Sequence, residues 1–152
     1  MAKKVKKIMK VYLDNCCFNR PFDDQKQIRI RLETEAKLFI QEKILNKNIE
    51  LVWSYILEYE NEFNPFDERK NIIKEWKNFS VKDIEENKQI LEESNRLKEI
   101  GLSSKDALHV ACAVYAKSDF FITTDDDLEK KLKDYNKITI INPIAFLKIL
   151  EE

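Results

Sequence analysis

Short apolar segments alternate with longer amphipathic segments along the whole chain, and this alternation constrains the fold more than any other feature. The sequence predicts four strands, at residues 10–14, 49–54, 119–123 and 137–141. It predicts helices at 28–46, 55–63, 68–79, 83–100, 104–116, 126–133 and 144–150, with a loop at 15–25. Strands that alternate with helices are typical of an α/β fold with a mainly parallel sheet. We therefore expect that fold class here.

The length and charge of the chain limit its organisation and its partners. A chain of 152 residues is expected to form one domain, and neither a linker nor an internal repeat interrupts it. Charged residues make up 36% of the sequence, yet the formal net charge is only -1. The whole surface is therefore not strongly basic, and a site for a polyanion must depend on local clusters of lysine and arginine.

Several functional classes are excluded or disfavoured by composition. No run of about 18 apolar residues predicts a membrane span, and the basic start MAKKVKKIMK lacks the apolar core of a secretory signal. Three cysteines fit no disulfide framework and favour a reducing cytoplasm. The single histidine and the lack of a CxxC motif argue against structural zinc, and one glycine excludes glycine-rich phosphate loops.

Acidic residues lie at one predicted edge of the sheet. Asp14 ends the first strand, and Asp125 follows the third. Asp106 lies in the first turn of the helix that leads into the third strand, and Glu58 and Glu60 follow the second strand within two helical turns. Because ligands of open α/β sheets bind outside the carboxyl ends of the strands, we expect these acids to meet there.

Two explanations of the acids are open. Clustered carboxylates repel one another, and a divalent cation relieves that repulsion. Oxygen ligands without histidine or cysteine suit Mg²⁺ or Mn²⁺, which can support phosphodiester hydrolysis. Alternatively, Asp106 favours a helix dipole, Asp125 to Asp127 form an N-cap cluster for a short helix and Asp14 is a turn residue.

Five segments together resemble the PIN-domain family: VYLDNCC, SYILEYE, KDALHVACA, FFITTDDDL and INPIAFL. The most specific are the aspartate that ends the first strand, the D-A-L-H start of a helix and the T-x-D after an apolar strand. The stretch NRPFDDQ is also similar to one prokaryotic branch of the family. The resemblance covers nearly the whole chain. It implies one three-layer α/β/α sandwich over residues 1–152, with residues 1–9 as a flexible basic terminus.

The resemblance also implies an activity and a set of partners. Many PIN domains are ribonucleases that depend on Mg²⁺ or Mn²⁺, and stand-alone prokaryotic ones are often VapC-type toxins paired with an antitoxin. We therefore expect a cytoplasmic endoribonuclease that binds RNA, forms a homodimer and has no membrane partner. The expected metal ligands and catalytic residues are Asp14, Asp106, Asp125 and, by spacing from Ser54, Glu60. Glu58 is the alternative to Glu60, since two residues on a helix face about 200° apart.

Other residues are expected to support the site. Thr123 matches the family's hydroxyl at the end of the third strand, and Thr123, Asn15 and Ser54 are expected to orient carboxylates. Candidates for RNA contact near the Asp14 loop are Arg20, Lys26, Arg29 and Arg31, whose alternative explanation is a solvated helix face. Lys3, Lys4, Lys6 and Lys7 are interpreted as a soluble terminus rather than as a phosphate-binding arm.

Three further groups have competing interpretations. His109 lies one turn after Asp106, within reach of the site, although a packed and hydrogen-bonded core histidine is the favoured reading. Cys16 and Cys17 are interpreted as small packing residues. Tyr55, Tyr59 and Phe63 recur at four-residue steps, which fits either an exposed stripe for a partner or core packing.

The working hypothesis is metal-assisted hydrolysis of single-stranded RNA without a covalent enzyme intermediate. A phosphatase of the haloacid dehalogenase type would need a second acid at position 16, which is Cys16. A receiver domain is shorter and needs a lysine after a late strand. The remaining alternative is a non-catalytic PIN module that binds RNA or a protein partner.

Overall fold

The computed structural model describes residues 7–151, which form a single parallel sheet covered by helices. The strands are β1 (Met9–Leu13), β2 (Ile49–Ser54), β3 (Ser80–Ile84), β4 (Phe120–Ile122) and β5 (Thr139–Ile141). The α-helices are α1 (Asn15–Asn19), α2 (Ile28–Leu45), α3 (Tyr55–Glu62), α4 (Asp67–Glu75), α5 (Lys88–Ile100), α6 (Ser104–Tyr115), α7 (Asp126–Lys131) and α8 (Pro143–Leu150). Short 3₁₀ turns follow α1 and α4, at Arg20–Phe22 and Trp76–Phe79.

The order of the strands creates a crevice at the centre of the sheet. The order is β3-β2-β1-β4-β5, and every neighbouring pair is parallel. In register, Val11 of β1 lies between Leu51 of β2 and Phe120 of β4. The chain leaves β1 toward β2 and later returns to the opposite side of β1 as β4. The carboxyl ends of β1 and β4 therefore flank the topological switch point, where α/β folds bind ligands.

The three-layer sandwich follows from how the helices cover this sheet. The central strands are buried on both faces, as Tyr12, Leu13 and Trp53 illustrate. Helix α2 packs with α8, and α5 packs with α6. Right-handed crossovers place helices on opposite faces when the chain moves in opposite directions across the sheet. The predicted α/β/α fold is confirmed.

Polar residues at the junctions fix where several helices begin and end. The side chains of Ser54, Asn87, Ser103 and Asn142 accept hydrogen bonds from backbone N–H groups in the first turns of α3, α5, α6 and α8. These bonds satisfy donors that a helix start leaves unpaired. Gly101 ends α5 with a φ of 115°, a left-handed conformation that favours glycine, as the sequence predicted.

The prediction of a single helix over residues 83–100 was wrong. Residues 80–84 form strand β3 at the edge of the sheet, and α5 begins only at Lys88. Three of the five β3 residues are exposed, including Lys82 and Asp83, so the strand lacks the apolar character that reveals a buried one. Charges on an edge strand discourage pairing with another sheet.

The prediction of a loop at 15–25 was also wrong. Helix α1 and the following 3₁₀ turn occupy most of it, because Asp14 caps α1 and Pro21 lies at the start of the turn. Met9 belongs to β1, one residue inside the predicted terminus. Residues Lys3, Lys4 and Lys6 lie outside the described range. Within residues 7–151, none of the helices combines the length and apolar character needed to cross a bilayer.

Candidate active site

Asp14 stands where β1 and β4 end side by side. Its backbone N–H donates to the carbonyl of Ile122 at 3.0 Å, which joins the two strand ends. Its side chain then accepts a hydrogen bond from the N–H of Asn15 at 2.8 Å and so caps α1. Although the residue is buried, the crevice gives its carboxylate a polar environment.

Two side chains hold the second oxygen of Asp14. The hydroxyl of Thr123, which follows β4, donates to Oδ2 at 2.9 Å. The thiol of Cys16 lies 3.5 Å from the same oxygen and 3.4 Å from the Thr123 hydroxyl. The sequence predicted that Thr123 orients a carboxylate, and this contact has that geometry.

Glu60, in the last turn of α3, points toward the same crevice. Its Oε1 lies 2.5 Å from Nε2 of His109, and its Oε2 accepts from Nδ2 of Asn15 at 3.0 Å. Asn15 therefore contacts both Asp14 and Glu60. Glu58 instead lies 3.1 Å from Nζ of Lys77. Of the two glutamates that the sequence left open, the structure brings Glu60 to the acids.

His109 links Glu60 to a buried chain of hydroxyl groups. Its Nδ1 lies 2.6 Å from the hydroxyl of Tyr12, which also shares a 2.6 Å hydrogen bond with the hydroxyl of Ser54. The favoured interpretation of His109 as a buried, hydrogen-bonded residue is confirmed. Ser54, which the sequence predicted to orient a carboxylate, bonds Tyr12 and caps α3, so its connection to Glu60 runs through Tyr12 and His109.

Charge stabilises the pair of Glu60 and His109 in the ionised forms. Burial favours the neutral acid, but the hydrogen bond and charge of His109, the charge of Lys105 and the hydrogen bond from Asn15 together outweigh it and lower the pKa of Glu60. Burial likewise opposes a charged imidazole, yet the hydrogen bond to Glu60 and the charge of Asp14 raise the pKa of His109. Each partner therefore favours the charged form of the other.

Asp106 lies in the first turn of α6, where its N–H donates to the capping hydroxyl of Ser103 at 3.2 Å. Burial raises the pKa of Asp106, and the negative charges of Asp14 and Asp125 raise it further. Asp106 therefore lies close enough to Asp14 and Asp125 for their charges to disfavour its ionised form. A carboxyl group perturbed in this way in a crevice is a candidate ligand of a cation.

Asp125 has a structural role of its own. Its Oδ1 accepts from the N–H groups of Asp127 and Leu128, so it caps α7 as the alternative interpretation proposed. Its own N–H donates to the Thr123 hydroxyl at 3.1 Å. Within the described residues this cap uses only one carboxylate oxygen, and the residue is exposed at the rim of the crevice.

A family model decides the classification of this site and fold. The model of the PIN domain matches residues 11–133. The chain belongs to the PIN-domain family. Comparison with curated proteins found no match. The matched range includes all four acids that the sequence singled out.

Solved structures share the fold of this PIN domain. One is VapBC2 from Rickettsia felis bound to a DNA fragment from their promoter, with 14% identity, a TM-score of 0.55, and coverage of 88% of this chain and 98% of that chain. Another is VapBC-1 from nontypeable Haemophilus influenzae, with 18% identity, a TM-score of 0.55, and coverage of 89% and 98%. At these identities the likeness concerns the fold.

The donor chemistry of this PIN domain suits a hard divalent cation. Asp14, Glu60, Asp106 and Asp125 offer carboxylate oxygens, the ligands that Mg²⁺ and Mn²⁺ prefer. However, no three or more His, Cys, Asp or Glu side chains within residues 7–151 are arranged to hold a metal ion as they stand. The residue types therefore fit the ion, while a closed coordination cluster is not preformed.

The basic residues proposed to contact RNA divide into two pairs. Arg20 and Arg29 both reach the carboxylate of Glu33, which is fully buried, at 3.2 and 3.4 Å. Arg29 also forms two 2.6 Å hydrogen bonds with Asp126, and Arg20 pairs with Asp23. Lys26 and Arg31 are exposed. Arg20 and Arg29 thus have structural partners, which their positions in sequence did not reveal.

Sequence reasoning missed two neighbours of the acids. Tyr12 precedes Asp14 by two residues, and strand geometry puts both on one face of the sheet. The two-residue spacing from Asp14 could therefore have indicated that Tyr12 lies beside the acids. Cys16 was interpreted as a packing residue, yet its sulfur contacts Asp14 and Thr123 and accepts from the N–H of Thr124. No spacing rule indicates that contact.

Proposed function

We propose that this PIN domain is an endoribonuclease that depends on Mg²⁺ or Mn²⁺. The observation that carries the proposal is the meeting of Asp14, Asp106 and Asp125 at the switch point, where burial and then the charges of Asp14 and Asp125 raise the pKa of Asp106. Glu60 completes the acidic group. An acidic crevice of this kind attracts a divalent cation, which in turn attracts the phosphate of a nucleic acid.

Each residue has a task that follows from its contacts. Thr123 and the backbone of Asn15 fix the carboxylate of Asp14, while His109 and the side chain of Asn15 fix Glu60. Asp14 and Asp106 would be the principal ligands of the ion, and Glu60 and Asp125 would complete its surroundings. Once bound, the cation supplies charge stabilisation to the phosphate and to the leaving oxygen during hydrolysis.

We also propose that the chain is the toxin of a toxin–antitoxin pair. The membership in the PIN-domain family and the fold likeness to two solved VapBC structures support this proposal. An antitoxin protein is then a partner, and a homodimer is the expected assembly. Exposed apolar side chains such as Ile28 and Leu38 on α2 are compatible with either contact.

A second candidate function is a PIN module that binds RNA or a protein without cleavage. The observation that favours it is the lack of a preformed metal cluster among the described residues. The two candidates differ in what the acids do. In a nuclease, Asp14 and Asp106 are essential to turnover, whereas in a binding module their charge only weakens the contact with a polyanion.

The test is cleavage of a broad pool of single-stranded RNA by the wild type and by Asp14→Asn and Asp106→Asn. Each reaction contains Mn²⁺, Mg²⁺ or EDTA. Asp127→Asn is the matched control, because it removes an exposed carboxylate at the start of α7 whose one ion-pair partner within residues 7–151 is Lys131. We expect cleavage by the wild type and the control in either metal, and none in EDTA or by the two site variants.

The outcomes separate the candidates. Cleavage that survives in both site variants would refute the assignment of the acids. If the wild type binds RNA but leaves the entire pool intact, and the site variants bind it more tightly, the non-catalytic module is the correct function.

A further inference from the structure

A cleft of about 340 Å³ lies beside the acidic site, and two residues of that site also line the cleft. Its volume lies within the range of small-molecule sites, about 300–1,000 Å³. Asn15 and Glu60 belong both to this lining and to the acidic group. Most of the remaining lining consists of amides, aromatic rings and one arginine: Asn19, Asn61, Asn64, Phe63, Phe66 and Arg69. A ligand in the cleft would therefore lie next to the proposed cleavage site.

Asn61, one of the lining residues, carries a buried hydrogen-bond acceptor that no other described residue uses. The side chain is buried, with 3% exposure, and its Nδ2 donates to the carbonyl of Lys70 at 2.9 Å. Among the described residues, Oδ1 has no hydrogen-bond partner. A buried acceptor without a donor costs free energy, so a ligand that brings an N–H group satisfies a need that the protein leaves open.

Two aromatic rings at the cleft are exposed to solvent. Phe63 is 70% exposed and Phe66 is 52% exposed. Because both rings line one cleft, a ligand that enters it can contact them. Unstacked nucleobases bind to such rings, and every base has a face that can stack.

Arg69 supplies a positive charge that has no carboxylate partner within the described residues. Its guanidinium carbon lies 4.0 Å from the ring centre of Phe66 and 5.2 Å from that of Phe22. Asp23 also lines the cleft, but it pairs with Arg20. A planar guanidinium fixed against a ring is suited to a phosphate group.

We propose that this cleft binds the nucleotide adjacent to the cleaved phosphodiester and prefers a base with an exocyclic amino group. The base stacks on Phe63 and Phe66, Arg69 contacts its phosphate, and Oδ1 of Asn61 accepts from the amino group. This inference rests on the proposed nuclease function and adds to it a subsite that reads one base. Cytosine is then preferred to uracil, because the two rings differ at position 4 by an amino group against a carbonyl oxygen.

The test measures binding separately from cleavage. Asp106→Asn serves as the background, since it prevents turnover, and fluorescence anisotropy reports binding of labelled oligocytidine and oligouridine. We expect the cytidine oligomer to bind about fivefold more tightly, the effect of one hydrogen bond. Adding Phe63→Ala or Phe66→Ala should weaken binding of both oligomers about tenfold, which is typical of lost base stacking.

Two controls keep the result interpretable. Phe79→Ala removes a phenylalanine that is 49% exposed but does not line the cleft, and it should leave both affinities unchanged. Asn61→Leu should abolish the preference for cytidine while the stacking contribution remains. Circular dichroism establishes that Asn61→Leu is folded, and the two phenylalanine variants test the cleft even if it is not.

Failure of this inference differs from failure of the nuclease proposal. If the wild type cleaves RNA but Phe63→Ala, Phe66→Ala and Phe79→Ala bind alike, the subsite is wrong and the nuclease stands. If the wild type cleaves nothing but the binding pattern is as expected, the cleft stands and the nuclease is wrong. If the phenylalanine variants change the sedimentation of the protein and not its affinity for RNA, the aromatic residues form a protein interface, which overturns the subsite.

Discussion

Nε2 of His109 lies 2.5 Å from Oε1 of Glu60, and this contact connects the acidic crevice to the buried core. On the other side of the ring, the hydroxyl of Tyr12 lies 2.6 Å from Nδ1, and Ser54 follows at 2.6 Å from that hydroxyl. The chain of hydrogen bonds thus crosses from α3 through α6 and β1 to β2. Fully satisfied buried networks of this kind make a site rigid.

The network predicts a stability cost for Tyr12→Phe. Loss of the hydroxyl leaves the hydroxyl of Ser54 and Nδ1 of His109 with fewer partners in the interior, which costs about 2 kcal/mol of unfolding free energy. Urea unfolding measures it. Tyr55→Phe is the control, because the Tyr55 hydroxyl makes a 3.3 Å hydrogen bond near the surface and should cost less than about 0.5 kcal/mol. Equal costs for the two variants would show that the network adds nothing.

Lys37 on α2 predicts a dependence of stability on pH. Burial lowers the pKa of Lys37 from its ordinary value of 10.5 to about 8. Between these values the unfolded chain holds a proton that the folded chain lacks, so stability rises as pH rises through this window. Below pH 8 the charge is retained in both states, and its burial costs about 3 kcal/mol at 1.36 kcal/mol per pKa unit.

The corresponding variant is Lys37→Met, which keeps a long side chain without the charge. It should be more stable than the wild type at pH 7 by up to about 3 kcal/mol. That advantage should shrink from pH 8 upward and disappear near pH 10.5. Chemical unfolding of both proteins at several pH values measures the difference. A difference that stays constant from pH 7 to 10.5 would mean that Lys37 is charged at little cost.

The ion pair of Arg29 and Asp126 predicts an energetic coupling between the two residues. This coupling distinguishes a structural role of Arg29 from a direct contact with RNA. Their two 2.6 Å hydrogen bonds tie α2 to the start of α7, next to Asp125. Because both side chains are largely exposed, the pair should contribute about 0.5–1 kcal/mol of coupling in a double-mutant cycle of unfolding free energies. Arg29→Ala and Asp126→Asn should each lower the rate of cleavage by a similar factor, without an additive effect in the double variant.

A direct RNA contact by Arg29 gives the opposite pattern. Asp126→Asn would then free the guanidinium and strengthen RNA binding, whereas Arg29→Ala would weaken it. The exposed residues Lys26 and Arg31 provide the comparison for a true phosphate contact. Substitution of such a residue should reduce the slope of log affinity against log salt concentration by about 1, the value for one lost phosphate contact.

The sequence predicted those features that depend on topology. A parallel sheet brings the ends of its strands to one edge, so the meeting of Asp14 with the Thr123–Asp125 segment followed from two strands and a rule about switch points. The position of Asp106 in the first turn of α6 followed from the serine cap. These residues could be located because their positions depend on where elements end, which caps and apolar runs indicate.

Features that depend on rotation and on packing could not be predicted. The choice between Glu58 and Glu60 depends on how α3 is turned against α6, and only the contact with His109 settles which one faces the crevice. The partners of Arg20 and Arg29 depend on Glu33, a buried acid of α2 that no local pattern distinguishes from a surface residue. Strand β3 was missed because three of its five residues are exposed and two of those, Lys82 and Asp83, are charged.

In the absence of metal, the substitution Asp106→Asn is expected to leave the stability of the protein equal to that of the wild type or to raise it. Because burial and the charges of Asp14 and Asp125 raise the pKa of Asp106, the folded state disfavours its ionised form. The neutral amide removes this repulsion, so the variant should unfold at the same denaturant concentration as the wild type or at a higher one at pH 7. Unfolding in EDTA measures it. A marked loss of stability would mean that Asp106 is a structural residue.

The central claim is that these acids bind a divalent cation, and direct measurement of Mn²⁺ binding tests it without knowledge of the RNA target. Calorimetry or electron paramagnetic resonance of free Mn²⁺ would compare the wild type with Asp106→Asn and with the control Asp127→Asn. The account predicts binding by the wild type and the control, and at least a tenfold loss of affinity in Asp106→Asn, consistent with removal of a principal ligand. Equal binding by all three proteins, or no binding by the wild type, would contradict it.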